Sequence, residues 1–211
     1  MNSTDLYLAS LCYASYWDVS KFDHVLTDGD VWVGIKGNNV CFRGSTTRED
    51  WERDLLSIQL TAVPGLGRVG SGFVQGMMLS CAAILTLIDQ SQPINVTGHS
   101  LGAARAQIFC AWIKYKYPTA ELTCVTFGTP RTGDLDFKKA LSTVTARAYL
   151  NGSDVIENLP EVIPDHPFTQ AVDRIALYCE PVAMDPWLFA KYHHFQLYMA
   201  AAGLAFVQAQ A

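Results

Sequence analysis

The sequence predicts an α/β fold, a mostly parallel central sheet with helices on both faces. Short apolar, β-branched runs recur along the 211 residues, and stretches of helical composition separate them. Half of the residues are hydrophobic, enough for a chain of this length to build a core without disulfides. No internal repeat, low-complexity tract or linker interrupts the pattern, so one domain over residues 1–211 is expected.

The elements follow in order. Ser3-Thr4-Asp5 opens a helix that carries Leu6 to Tyr16. Val31 to Ile35 reads as a strand, Gly37-Asn38-Asn39 as a turn and Val40-Cys41-Phe42 as the returning strand, together a hairpin. Thr46 to Leu56 sets charges around Trp51 and Leu55, which suits a short helix. Thr61 to Gly72 contains Pro64 and several glycines and reads as loop. Phe73 to Ile88 predicts one long apolar helix. Pro93 to Thr97 is a strand that runs into Gly98-His99-Ser100-Leu101-Gly102, and Ala103 to Tyr115 is helical in composition. Leu122 to Phe127, Val144 to Leu150 and Ile175 to Cys179 are further strands, and Trp187 to Val207 is a closing helix.

Composition removes several functions. The net charge is −5, with Lys and Arg scattered rather than striped, which argues against a nucleic-acid partner. The six cysteines form no C-x-x-C pair and no zinc-like spacing with histidine. Most lie in apolar runs such as Asn39-Val40-Cys41-Phe42, so buried, reduced thiols are expected. No basic-then-apolar leader and no membrane-length apolar run are seen, and the expectation is a cytoplasmic protein.

Gly98-x-Ser100-x-Gly102 carries the chemistry. A G-x-S-x-G between a strand and a helix forms a tight turn that projects the serine hydroxyl above the sheet. Glycines flank it because a Cβ there would strike the neighbouring segments. The serine also lies at a helix N-terminus, which favours a developing anion.

Val96-Thr97-Gly98-His99-Ser100-Leu101-Gly102-Ala103 resembles the nucleophile motif of the class 3 lipases. These are α/β-hydrolases that act on acylglycerols and related esters. Phe42-Arg43-Gly44-Ser45 with Asp50-Trp51 and Asp54 resembles their oxyanion-loop block. Phe127-Gly128-Thr129-Pro130-Arg131-x-Gly133 resembles the loop after the next strand. The blocks stand in family order across roughly Val31 to Pro160. Three features depart from the pattern. Ala103 and Arg105 replace the usual glycine and apolar residue, Gly70 stands where histidine is frequent, and the chain is short.

The resemblance implies an α/β-hydrolase fold and an oxyanion hole formed by the backbone N–H groups of Ser45 and Leu101. A helix cap is the other role open to Ser45. Arg43 is expected to be structural, paired with Asp50 or Asp54. In this fold the acid follows the serine, and the base follows the acid. Asp154, just past a strand end in Asn151-Gly152-Ser153-Asp154, fits the acid, with Asp165 and Asp173 as weaker rivals. Of the five histidines, His24 comes too early in the chain. His99 is the variable residue of the elbow, and His166 resembles a structural residue of a loop. His193 and His194 remain. The spacing of His193 to Tyr198 resembles bacterial and plant members, whereas the shorter fungal spacing would favour His194. The implied reaction is ester hydrolysis through an acyl-enzyme by Ser100, His193 and Asp154, which requires no metal or organic cofactor. Neutral esters, acylglycerols first, are the implied substrates, with transient contact at a lipid surface. Acyl transfer to an alcohol by the same triad, and a non-enzymatic binding domain on the same fold, are the alternatives. Leu55 to Gly72, with Ile58, Leu60, Val63 and Leu66, is where a lid would lie.

Overall fold

The structure is a computed structural model that describes residues 1–45, 59–152, 154–160, 167–177, 195, 198–201 and 203. Helix α1 (Ser3–Trp17) starts where the Asn2 side chain accepts the Asp5 N–H at 2.8 Å. The cap is therefore Asn2, just ahead of the expected start. Strands β1 (His24–Asp28), β2 (Val31–Lys36) and β3 (Asn39–Phe42) form an antiparallel meander. The β2–β3 hairpin matches expectation; β1 is an added edge strand with mostly exposed side chains, so no apolar run announces it.

Two expectations need correction. The stretch read as loop holds strands β4 (Leu60–Val63) and β5 (Gly67–Gly70), paired antiparallel. Pro64 and the glycines make a turn rather than a long loop: Gly65 and Gly67 take φ of 79° and 90°. The helix read over Phe73 to Ile88 is two pieces, α2 (Ser71–Val74) and α3 (Met77–Leu85). Gly76 lies between them at φ 71°, a left-handed residue that no continuous helix accommodates.

Strand β6 (Ile94–His99), helix α4 (Leu101–Lys116), strand β7 (Leu122–Phe127), helix α5 (Leu135–Leu141), strand β8 (Thr145–Asn151) and strand β9 (Arg174–Leu177) complete the described strands and α-helices. Helix α5, which no periodicity marked, is capped by Asp134 Oδ1, accepting from Asp136 N and Phe137 N. In the described residues the main sheet runs β1-β2-β3-β6-β7-β8-β9, parallel from β3 onward. Residues 195, 198–201 and 203 of the expected closing helix are helical.

Alternation along the parallel strands sends side chains to opposite faces. Val40, Phe42, Val96 and Cys124 join α3, α4 and α5 in one core. Cys41, Val125 and Phe127 join Leu8 and Cys12 of α1, with Phe195 and Tyr198, in the other. At its start α1 is fixed to β8. Asp5, 1% exposed, accepts from Arg147 Nε and Nη2 and from the Tyr149 hydroxyl, the last at 2.6 Å. Cys12, Cys41, Cys81, Cys110 and Cys124 are buried free thiols, and burial pushes the Cys81 thiol up to about 12; Cys179 lies outside the described residues. No helix of the described residues is long and apolar enough to cross a membrane.

Candidate active site

Strand β6 turns into α4 at Ser100, which holds φ 58° and ψ −128° and is the one non-glycine residue with positive φ among those described. Such a conformation costs about 1–3 kcal/mol and persists only where its surroundings impose it. Here they do. A Cβ on Gly98 would lie 2.2 Å from the Gly102 carbonyl oxygen, and one on Gly102 would lie 2.1 Å from that of Phe42. The turn is thus pressed between its own helix and the end of β3. Ser100 N–H donates to the Phe127 carbonyl at 3.1 Å, and the Ser100 carbonyl accepts from Ala103 N at 2.9 Å. The buried Ser100 hydroxyl has no hydrogen-bond partner among the described residues. Buried polar atoms are as a rule hydrogen-bonded, so an unpartnered hydroxyl at this turn is an exception. The N–H of Leu101 belongs to the first turn of α4, where helix donors lack intrahelical partners.

The loop after β3 meets the elbow at Gly44. A Cβ there would lie 2.5 Å from the Tyr16 hydroxyl, 2.7 Å from the His99 carbonyl oxygen and 3.1 Å from Ser100 Cβ. Ser45 follows, its hydroxyl buried and unpartnered among the described residues. Ser45, Ser100 and Leu101 are therefore brought together by the contacts of Gly44 and Gly102. Arg43 lies with its guanidinium 4.8 Å from the Trp32 ring centroid and Nη1 3.4 Å from the Ser15 carbonyl. Asp50 and Asp54, its expected partners, lie outside the described residues. Arg105, the departure on α4, is buried and spans to the backbone: Nη1 donates to the Asp30 carbonyl at 2.7 Å and Nε to that of Phe73 at 3.3 Å.

On the acid side, Asp154 follows β8 and is 1% exposed. Its Oδ1 accepts from Ile156 N at 3.0 Å, and its Oδ2 accepts from the Tyr198 hydroxyl at 2.6 Å. Burial and the adjoining Asp154 charge drive the Tyr198 phenol far above its ordinary range, so it stays a donor. Its rival Asp173 is exposed and among the described residues pairs with Lys138, at 3.6 Å; Asp165 lies outside the described residues.

His99 turns away from Ser100. Its Nδ1 is 3.0 Å from the Tyr16 hydroxyl, and its ring packs edge-on against Phe195 and Tyr198 at 4.9 and 5.5 Å. An aromatic cluster thus joins the elbow to the tyrosine that holds Asp154. His24 lies on the edge strand β1, exposed. His166, His193 and His194 lie outside the described residues. The segment where a lid would lie is described from residue 59 onward. Val63 and Leu66 are buried in the core, and Leu60 packs against it within the β4–β5 hairpin; residues 55–58 lie outside.

Sequence reasoning missed Tyr16, and it used Tyr198 only as a spacing marker. An aromatic residue in an apolar helix carries no signal of a polar task at its ring tip.

The fold matches solved lipases. A triacylglyceride lipase of Rhizomucor miehei superposes with a TM-score of 0.66 at 20% identity, over 84% of this chain and 82% of that one. A triacylglycerol lipase described as having a serine protease triad at its catalytic centre gives 0.61 at 21% identity, over 76% of each chain. This is the α/β-hydrolase fold. Lipase ZK262.3 of Caenorhabditis elegans is 29% identical over an alignment of 169 residues that covers 74% of this chain. The chain spans less than half of that relative, 46% of its length. The family model for lipase (class 3) matches residues 39–164, which take in Gly44, Ser45, the elbow and Asp154. The chain belongs to the class 3 lipase family.

Proposed function

We propose that the chain is a serine carboxylic ester hydrolase, a lipase or esterase that works through an acyl-enzyme. Ser100 attacks the ester carbonyl while His193 takes its proton and then returns it to the departing alcohol. Asp154 holds the imidazole in the required tautomer. The N–H groups of Ser45 and Leu101 receive the oxyanion, and water then releases the acid with His193 again as base. Neutral esters are the substrates, with acylglycerols first, since the matched relatives are lipases. Access to such substrates involves transient contact with a lipid surface.

The observation that carries this proposal is Ser100 itself. A serine is held at φ 58° at the head of a buried helix, its hydroxyl unpartnered among the described residues and the Gly44–Ser45 loop pressed against it. Two further facts support the assignments of acid and base. Asp154 is buried and fastened by two donors. Phe195, one residue beyond His194 and two beyond His193, packs its ring on that of His99 next to Ser100, which bears on the pair and not on the choice between them.

The test is a p-nitrophenyl ester series of increasing chain length, with and without detergent, alongside labelling by a fluorophosphonate. Wild type should hydrolyse the esters and label at Ser100, and Ser100→Ala should lose activity by about 10⁴-fold or more while remaining folded. Near-wild-type turnover in Ser100→Ala would overturn the proposal.

A further inference from the structure

We propose that Tyr16 is a positioning residue of this hydrolase: its hydroxyl ties the oxyanion loop to the nucleophile elbow and so fixes where the oxyanion donors point. The inference rests on the hydrolase assignment above and goes beyond its residues. Tyr16 lies on α1, outside the 39–164 region that matches the family.

Two hydrogen bonds meet at one oxygen. The Gly44 N–H donates to the Tyr16 hydroxyl at 3.1 Å, and that hydroxyl lies 3.0 Å from His99 Nδ1. Gly44 directly precedes Ser45, and His99 directly precedes Ser100. One phenol therefore bridges the residues next to the oxyanion donor and next to the nucleophile. The direction of the bonds follows from the donors available. The Gly44 N–H can only donate, which makes the tyrosine oxygen its acceptor. The tyrosine oxygen has room for a second donor, so Gly44 alone does not set the tautomer. Nδ1 is the acceptor that the described residues offer the hydroxyl proton, and in the proposed bridge that proton points to Nδ1 while the imidazole proton lies on Nε2. The chain Gly44 N–H to Tyr16 O–H to His99 Nδ1 is thus polarised in one sense.

The geometry leaves little slack. The space a Gly44 Cβ would need is already taken by the Tyr16 hydroxyl, the His99 carbonyl and Ser100 Cβ. The ring itself is held by stacking against Phe195 and tilting against Trp17. Burial, with Cys12 nearby, holds the phenol above its ordinary range, so it remains a neutral donor. Oxyanion stabilisation depends on donors fixed in advance, and displacement by a fraction of an ångström weakens it. Losing the bridge would free the Arg43–Gly44 peptide, whose N–H it holds, and let the following Ser45 N–H tilt away from the developing charge.

Tyr16→Phe tests this, because it keeps the ring and its packing and removes only the bridge. With p-nitrophenyl butyrate, kcat should fall about tenfold or more while KM stays within about threefold, since the loop acts on the transition state and not on ground-state binding. In ¹⁵N-histidine spectra, wild type should show His99 as the Nε2–H form, and Tyr16→Phe should shift it toward the other tautomer. A residue that only stabilised the fold would move neither. A folded Tyr16→Phe variant with kcat within twofold of wild type, or with its loss confined to KM, would overturn the inference. Should that variant not fold, two His99 variants carry the test. His99→Asn offers a side-chain oxygen near the place of Nδ1 and should exceed His99→Leu in kcat by about tenfold; equal values would overturn it. Failure of the hydrolase assignment looks different: wild type itself would neither label at Ser100 nor turn over ester, and the inference would fall with it.

Discussion

Gly102→Ala adds one methyl group at the contact that sets the distance between Ser100, the proposed nucleophile, and the Gly44–Ser45 loop, the proposed source of an oxyanion donor. Its Cβ would lie 2.1 Å from the Phe42 carbonyl oxygen and 2.7 Å from the carbonyl carbons of Phe42 and Arg43. All three are backbone atoms, so no rotamer change relieves them. Ordinary contact begins near about 3.4 Å, and the first turn of α4 and the end of β3 have to separate by about 1.3 Å. Overpacking of this kind costs about 1–3 kcal/mol, which in a chain of this size lowers the melting temperature by about 2–12 °C. The catalytic cost is larger. The displaced strand end carries Gly44 and Ser45, and the displaced helix carries Ser100 and Leu101. Misplacement near 1 Å costs about 100-fold, comparable to losing an oxyanion donor outright. Turnover of p-nitrophenyl butyrate should fall about 100-fold or more, although every catalytic side chain is still present. Melting curves and fluorophosphonate labelling on the same preparation separate this from unfolding. A variant within fivefold of wild-type turnover, with an unchanged melting temperature, would refute the claim that backbone contact at Gly102 sets the site.

Asp5→Ala should cost about 3 kcal/mol, because it strands the Arg147 guanidinium and the Tyr149 hydroxyl near the core. A melting temperature lower by about 6–12 °C is expected, and no change would show the anchor to be idle. His193→Ala should cost as much activity as Ser100→Ala, and His194→Ala far less; the reverse order in ester assays would move the base to His194 without disturbing the rest of the proposed triad. Thiol titration of the unfolded, unreduced protein should count at least the five buried free cysteines. A count near zero would mean that they pair.

The parallel strands and the elbow were legible because both leave marks in composition. Val96, Thr97 and the glycines flanking Ser100 are required by burial and by close backbone approach, and few other residues would serve. What escaped detection depends on context rather than composition. The β4–β5 hairpin looked like loop because Pro64 and Gly65 dominate a short segment, while the apolar side chains buried in it are those of Val63, Leu66 and Val69 alone. The break at Gly76 was hidden by apolar residues on both sides. Helix α5 spans seven residues, too short for a clear period. In the site, Ser45 and Asp154 were found through motif resemblance, and their neighbours bear out that they lie at loops after strand ends. Tyr16 had no mark at all, since its task depends on where α1 crosses the sheet.

That crossing explains how a residue remote from every motif comes to touch the site. Helix α1 crosses the sheet from β8 toward β3. Asp5 binds Arg147 and Tyr149 on β8. Cys12 Sγ lies 3.1 Å from Thr97 Oγ1 on β6. Tyr16 reaches Gly44 just past β3. Asp5 and Tyr16 are eleven residues apart, about 16 Å along a helix, so the ion pair at one end and the phenol at the other belong to one rigid rod. The buried start of the rod is fixed by charge, its middle by packing between Cys12, Cys41 and Thr97, and its end is delivered to the Gly44–Ser45 loop, where an oxyanion donor is proposed. Activity and stability are then coupled through α1. Loosening Asp5 should lower kcat as well as the melting temperature, and Tyr16→Phe added to Asp5→Ala should cost less in kcat than it does alone, because the bridge it removes is already slack. Fully additive losses would mean that the two ends of α1 act independently.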